Sequence, residues 1–98
     1  MPDELQEYLL NIVNDLEKTR DIYNGYSYAR TIRNILVGKE TAIIAPFFDD
    51  KEYYGYLDYI SIKSVEQMLE NLVKEKRLYF IYTDRGKLFC TKEFYESH

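Results

Sequence analysis

Residues 61–91 read SIKSVEQMLENLVKEKRLYFIYTDRGKLFCT, and this stretch decides the fold. Val65, Met68, Leu69, Leu72 and Val73 recur at helical spacing, so an amphipathic helix is predicted from Ser61 or Ile62 to Lys76. Ser61 is a natural N-cap, and Ser64 with Gln67 offers a second capping box one turn later. Lys74, Lys76 and Arg77 suit the negative end of that helix. The pattern then changes. Leu78 to Tyr82 and Lys87 to Thr91 are rich in aromatic residues, and Thr83-Asp84-Arg85-Gly86 separates them. A short loop with a glycine able to take positive φ, between two such runs, predicts a β-hairpin.

Upstream, Leu5, Leu9, Ile12, Val13 and Leu16 mark an amphipathic helix, with Asp3 as its expected N-cap. Arg20 to Tyr26 reads as a loop that turns at Asn24-Gly25. A second helix is expected from about Ser27 to Val37. Its inner face carries Tyr28, Ile32, Ile35 and Leu36, and Gly38 ends it in a left-handed conformation. Thr41 to Ala45 predicts a short third helix that Pro46 stops. Phe47 and Phe48 are expected to plug the core, and a polar turn follows at Asp49 to Tyr54. Lys92 to His98 reads as a final helical turn or a frayed end.

The order is three or four helices, the last of which feeds a C-terminal hairpin directly. That is an α+β, mainly helical plan: a winged helix, a variant of the helix-turn-helix, filling residues 1–98 as one domain. With 98 residues the chain is long enough to bury a core without disulfides or a structural metal. The single cysteine, Cys90, has no Cys or His at ligand spacing, which fits a reducing, cytoplasmic setting and an inert buried thiol. No apolar run has the length of a membrane span.

Charge bears on function. The net charge of −4 argues against nucleic-acid binding by bulk positive charge. Its distribution is uneven, because residues 1–60 carry 6 Lys or Arg against 11 Asp or Glu, and residues 61–98 carry 7 against 6. The C-terminal part is therefore the better candidate for any contact with nucleic acid. Three groups of residues are candidates. Backbone N–H groups at a helix start, with Ser61, Lys63 and Ser64 beside them, suit a phosphate, although Ser61 can equally serve only as a cap. Tyr82, Arg85 and Lys87 flank the hairpin tip, where a tyrosine ring stacks on a base and cations meet phosphate, with Asp84 opposing. Arg30 and Arg33 share a helix face and, with Lys39, suit a phosphate beside Gly38.

Two stretches resemble a known family. Tyr23-Asn24-Gly25-Tyr26, running into Ala29-Arg30-Thr31-Ile32-Arg33-Asn34-Ile35-Leu36-Val37-Gly38-Lys39, is similar to the glycine loop, amphipathic helix and basic Gly-Ser-Lys end of the RecQ C-terminal (RQC) winged-helix domain of DNA helicases. Tyr54-Gly55-Tyr56-Leu57, the helix capped by Ser61, the run Leu72-Val73 to Leu78, and the strand Leu88 to Thr91 resemble that domain's second half. Val37 stands where the family usually has arginine, and Glu40 where a small or basic residue is common. The resemblance implies a DNA-binding accessory module that contacts duplex or duplex–single-strand junction DNA, either with a helicase motor domain in cis, as in a helicase-like protein, or as a domain standing alone.

A rival expectation comes from the 11 tyrosines. Exposed members of Tyr53, Tyr54, Tyr56 and Tyr59 would make the domain a protein–protein or homodimerisation module without DNA binding. Catalysis is not expected. A Ser-His-Asp or Cys-His arrangement needs a base near its nucleophile, and the only histidine is His98. Asp49, Asp50 and Glu52 lack EF-hand spacing and read as a solvated turn, so no metal or other cofactor is expected.

Overall fold

The computed structural model describes residues 2–19, 27–39, 48 and 50–97. The expected turn at Asn24-Gly25, the short helix at Thr41 to Ala45, and Phe47 lie outside the described residues. Four helices and one hairpin are described: α1 (Pro2–Lys18), α2 (Ala29–Leu36), α3 (Ile62–Lys74), β1 (Tyr79–Thr83), β2 (Gly86–Cys90) and α4 (Lys92–Ser97). The strands are antiparallel, with Tyr79 opposite Cys90 and Thr83 opposite Gly86. The molecule is therefore α+β, with three described helices before the hairpin and the short α4 after it.

The apolar stripes face one another. Leu9, Ile12, Val13 and Leu16 of α1, Ile32, Ile35 and Leu36 of α2, and Val65, Leu69 and Leu72 of α3 form one cluster with Leu78 and Phe89 of the hairpin region. Phe48 is buried in the same cluster, as its position after Pro46 suggests. Each large side chain so buried contributes about 1.5–3 kcal/mol relative to exposure. Cys90 is fully buried.

The element ends differ from the sequence reading, each for a local reason. α1 begins at Pro2, which places Asp3 inside the helix instead of at its cap. Proline suits a first helical position because its missing N–H would have no partner there. α2 begins at Ala29, not Ser27. Ser27 is held outside the helix because its carbonyl accepts a hydrogen bond from Phe89 N at 3.1 Å. α3 ends at Lys74 instead of Lys76. Lys76 takes φ +61, and its N–H reaches Val73 O while Arg77 N reaches Leu72 O, both at 3.0 Å. That pair of bonds is a Schellman ending with lysine at the left-handed position.

The same ending closes α2, here with glycine. Gly38 has φ +68, its N–H bonds Ile35 O, and Lys39 N bonds Asn34 O. A Cβ on Gly38 would lie 3.0 Å from Gly55 Cα. The chain crosses the helix end at that point, and Gly55 N and Leu57 N donate to Ile35 O and Leu36 O. The two glycines singled out in separate stretches of sequence thus meet backbone to backbone.

Candidate functional site

The start of α3 is a well-made cap. Ser61 Oγ accepts from Ser64 N at 3.1 Å, and the Ser61 hydroxyl donates to Ser64 Oγ at 2.9 Å. Both serines are thereby occupied with each other, and Lys63 stands exposed beside them.

At the hairpin, the three expected residues separate. Lys87 lies against α3, its Nζ 2.9 Å from Glu70 and 4.9 Å from the Phe80 ring centroid. The hydrogen bond to Glu70 raises the Lys87 pKa above its ordinary value; partial burial opposes this, and the charges of Glu70, Tyr82 and Glu66 reinforce it. Lys87 therefore joins the hairpin to α3. Tyr82 is 75% exposed, and its ring stands edge-on to Phe80. Arg85 is exposed at the tip and has no ion pair among the described residues.

A threonine organises that tip. Thr83 Oγ1 donates to Gly86 O at 3.0 Å and accepts from Arg85 N at 3.1 Å. It also lies 2.8 Å from the Tyr28 hydroxyl, which donates because the threonine proton is already committed. Tyr28 is the N-cap residue of α2. The bond therefore ties the hairpin tip to the start of α2 across an open cleft of ≈ 390 Å³ lined by Tyr28, Thr83, Asp84, Arg85 and Leu88.

The arginine–lysine trio is divided. Arg30 is exposed in the first turn of α2, at the end that meets the hairpin tip. Lys39 is exposed just past the other end, roughly 13 Å away at 1.5 Å rise per residue. Arg33 is half-buried, and its Nε is enclosed without a hydrogen-bond partner among the described residues. The structure thus brings Arg30 and Arg85 to one end of the fold and leaves Lys39 at the Gly38–Gly55 crossing.

The tyrosine stretch is largely engaged within the molecule. Tyr53 is buried and donates to Asp15 of α1 at 2.5 Å, and Tyr56 donates to Glu4 at 2.9 Å. Burial and then the Asp15 hydrogen bond push the Tyr53 hydroxyl far above its ordinary pKa. Tyr8 packs edge-on between the rings of Tyr53 and Tyr56. Tyr54 is half-buried, and Tyr59, at 74% exposure, is the most open of the four. Sequence reasoning missed these clasps, the Tyr28–Thr83 bond and the Lys87–Glu70 pair. The one legible signal was the placement of Glu66 and Glu70 four apart on a single helix face.

Among the described residues, no His, Cys, Asp and Glu side chains gather as a metal site, and no helix is long and apolar enough to cross a membrane. Asp49 of the acidic turn lies outside the described residues. No protein-family model, curated protein or solved structure matches the chain.

Proposed function

We propose that this chain is an RQC-like winged-helix module that binds DNA and performs no chemistry of its own. The observation that carries the reading is the exposed Arg85 at the hairpin tip, without an ion pair among the described residues and tied by the Tyr28–Thr83 bond to the helix start that bears Arg30. Helix order supports the architecture. The chain runs α1, α2, α3 and hairpin, and Ser27, between α1 and α2, bonds the outer side of β2 as a short third strand would.

Recognition is by backbone and shape. Arg85 and Arg30 meet phosphates on one side, Lys63 and the free amides at the start of α3 meet phosphate on another, and Tyr82 stacks on a terminal or unpaired base. Lys87 serves as a strut to Glu70 rather than as a contact. Lys39 and Arg33 are secondary. The setting is an accessory domain beside a helicase motor in cis, in the cytoplasm.

Titration of labelled junction DNA at low salt tests this. Binding of about micromolar strength or better is expected, with a log–log salt slope of roughly −2 to −3 for three phosphate-contacting cations. Arg85→Ala and Lys63→Ala each weaken binding. Absence of binding at low salt removes the reading and favours the alternative, a protein–protein or dimerisation module without DNA binding. That alternative gains support from a different place, the outer edge of the hairpin.

A further inference from the structure

We propose that the free edge of β1 is a self-association surface on which a second copy of this chain adds its own β1, antiparallel, about a two-fold axis at Ile81. This stands independently of DNA binding. The argument begins with hydrogen-bond direction. Phe89 N points away from β1, because it donates to Ser27 O. In an antiparallel ladder the residues whose N–H and C=O face outward alternate with those bonded to the partner. Phe89 is opposite Phe80, and Lys87 is opposite Tyr82. Phe80 and Tyr82 therefore present their N–H and C=O groups at the outer edge of β1, where no backbone group of the described residues bonds them.

Among the described residues, the usual guards of an exposed strand are missing from that edge. Tyr79-Phe80-Ile81-Tyr82-Thr83 contains no charge and no proline, and its pairing with β2 has no bulge. Natural edge strands are usually protected by one of these devices. The edge lies in an open trough of ≈ 310 Å³ lined by Val73, Tyr79, Phe80, Tyr82 and Tyr95, with α3 on one side and α4 on the other. Tyr95 packs on Tyr79 at a ring separation of 5.1 Å and closes the root end of the trough. Tyr82, at the other end, is 75% exposed.

A second copy is the occupant this edge fits, because the pattern is self-complementary. With Ile81 opposite Ile81 of the other copy, Phe80 of each chain lies opposite Tyr82 of the other. Each such pair exchanges two N–H···O=C bonds, so the four outward donors and acceptors are all satisfied at once. The same alignment makes two Phe–Tyr cross-strand ring pairs, and aromatic pairs are among the favourable contacts across strands. The surface is the same on both partners, as a two-fold dimer requires. Five-residue edges make a small interface, so the dimer is weak. Each chain carries −4, so long-range repulsion opposes association and added salt relieves it.

Analytical ultracentrifugation of the full chain from roughly 10 µM to roughly 1 mM tests the proposal, spanning the range of a weak dimer. The average mass should rise from 11.8 kDa towards twice that value, and more so at higher salt. Over the same range the amides of Phe80 and Tyr82 should exchange more slowly, while those of Ile81 and Thr83, already bonded to β2, stay unchanged. Tyr82→Lys should weaken association at least tenfold. One mass at every concentration overturns the proposal. So does association that leaves the Phe80 and Tyr82 amides unaltered, which would place the contact elsewhere. Exchange on the wild-type chain decides the matter even where the variant folds poorly.

Discussion

The two ends of the hairpin are built on opposite principles. At the root, Phe89 and Cys90 are fully buried, Leu78 is 1% exposed, and Glu17 of α1 accepts from both Thr91 N and the Thr91 hydroxyl, at 2.7 and 2.8 Å. Lys87 adds its bond to Glu70 partway along. At the tip, Tyr82, Asp84 and Arg85 are exposed, and a Cβ on Gly86 would meet nothing within 4 Å. Thr83 steadies it through its bonds with Gly86 O, Arg85 N and the Tyr28 hydroxyl. The difference is between a root that fixes the hairpin's direction and a tip whose polar groups remain available. A binding device needs both, since free groups on an unfixed ribbon lose entropy on contact.

Four measurements break or sharpen that contrast, beginning with the largest effect. Phe89→Ala removes the ring that anchors the root, and urea unfolding should show a loss of about 3–5 kcal/mol. A much smaller loss would mean that the root is not what holds the hairpin. Glu17→Gln replaces one of two accepting oxygens by a donor and leaves a Thr91 group unpaired, for an expected loss of about 1–3 kcal/mol in the same assay.

Lys87 gives a pH-dependent signature. Its folded pKa is raised above the ordinary 10.5, so its contribution is complete below that pH and is lost as pH climbs through the folded value. The melting temperature should therefore fall more steeply above pH 10.5 in the wild type than in Lys87→Met, with the two curves parallel below it. Equal slopes would show that the bond to Glu70 does not persist in solution. Arg85→Ala, at the tip, should change stability by no more than about 0.5 kcal/mol while lowering low-salt DNA affinity by roughly 3–10-fold. A clear loss of stability would contradict a free tip.

Much of this contrast was visible in the chain itself. The aromatic runs around Thr83-Asp84-Arg85-Gly86 marked both hairpin and tip, and Arg85 stands exposed there as expected. Of the remaining candidates, Lys87 and Arg33 were the least readable. A lysine in a half-polar strand looks solvated until the helix beside it is known, and Glu70 lies 17 residues earlier. Tyr53 and Tyr56 read as an open patch for the same reason, because Asp15 and Glu4, which bind them, belong to the first helix, 38 and 52 positions away.

What the sequence determined alone is the set of features decided within a turn or two of backbone. These are the apolar stripes of α1, α2 and α3, the serine cap at Ser61, and the left-handed glycine at Gly38. Burial periodicity and backbone sterics act over a few residues, so a pattern of residue types suffices to specify them. Tertiary structure decided the rest. It brought Gly55 against Gly38, held Ser27 out of α2 by its bond to Phe89, and turned Lys87 onto Glu70. Such contacts exist only when whole elements pack, and their partners are chosen by the direction in which each element leaves the core, which no local run of residues encodes.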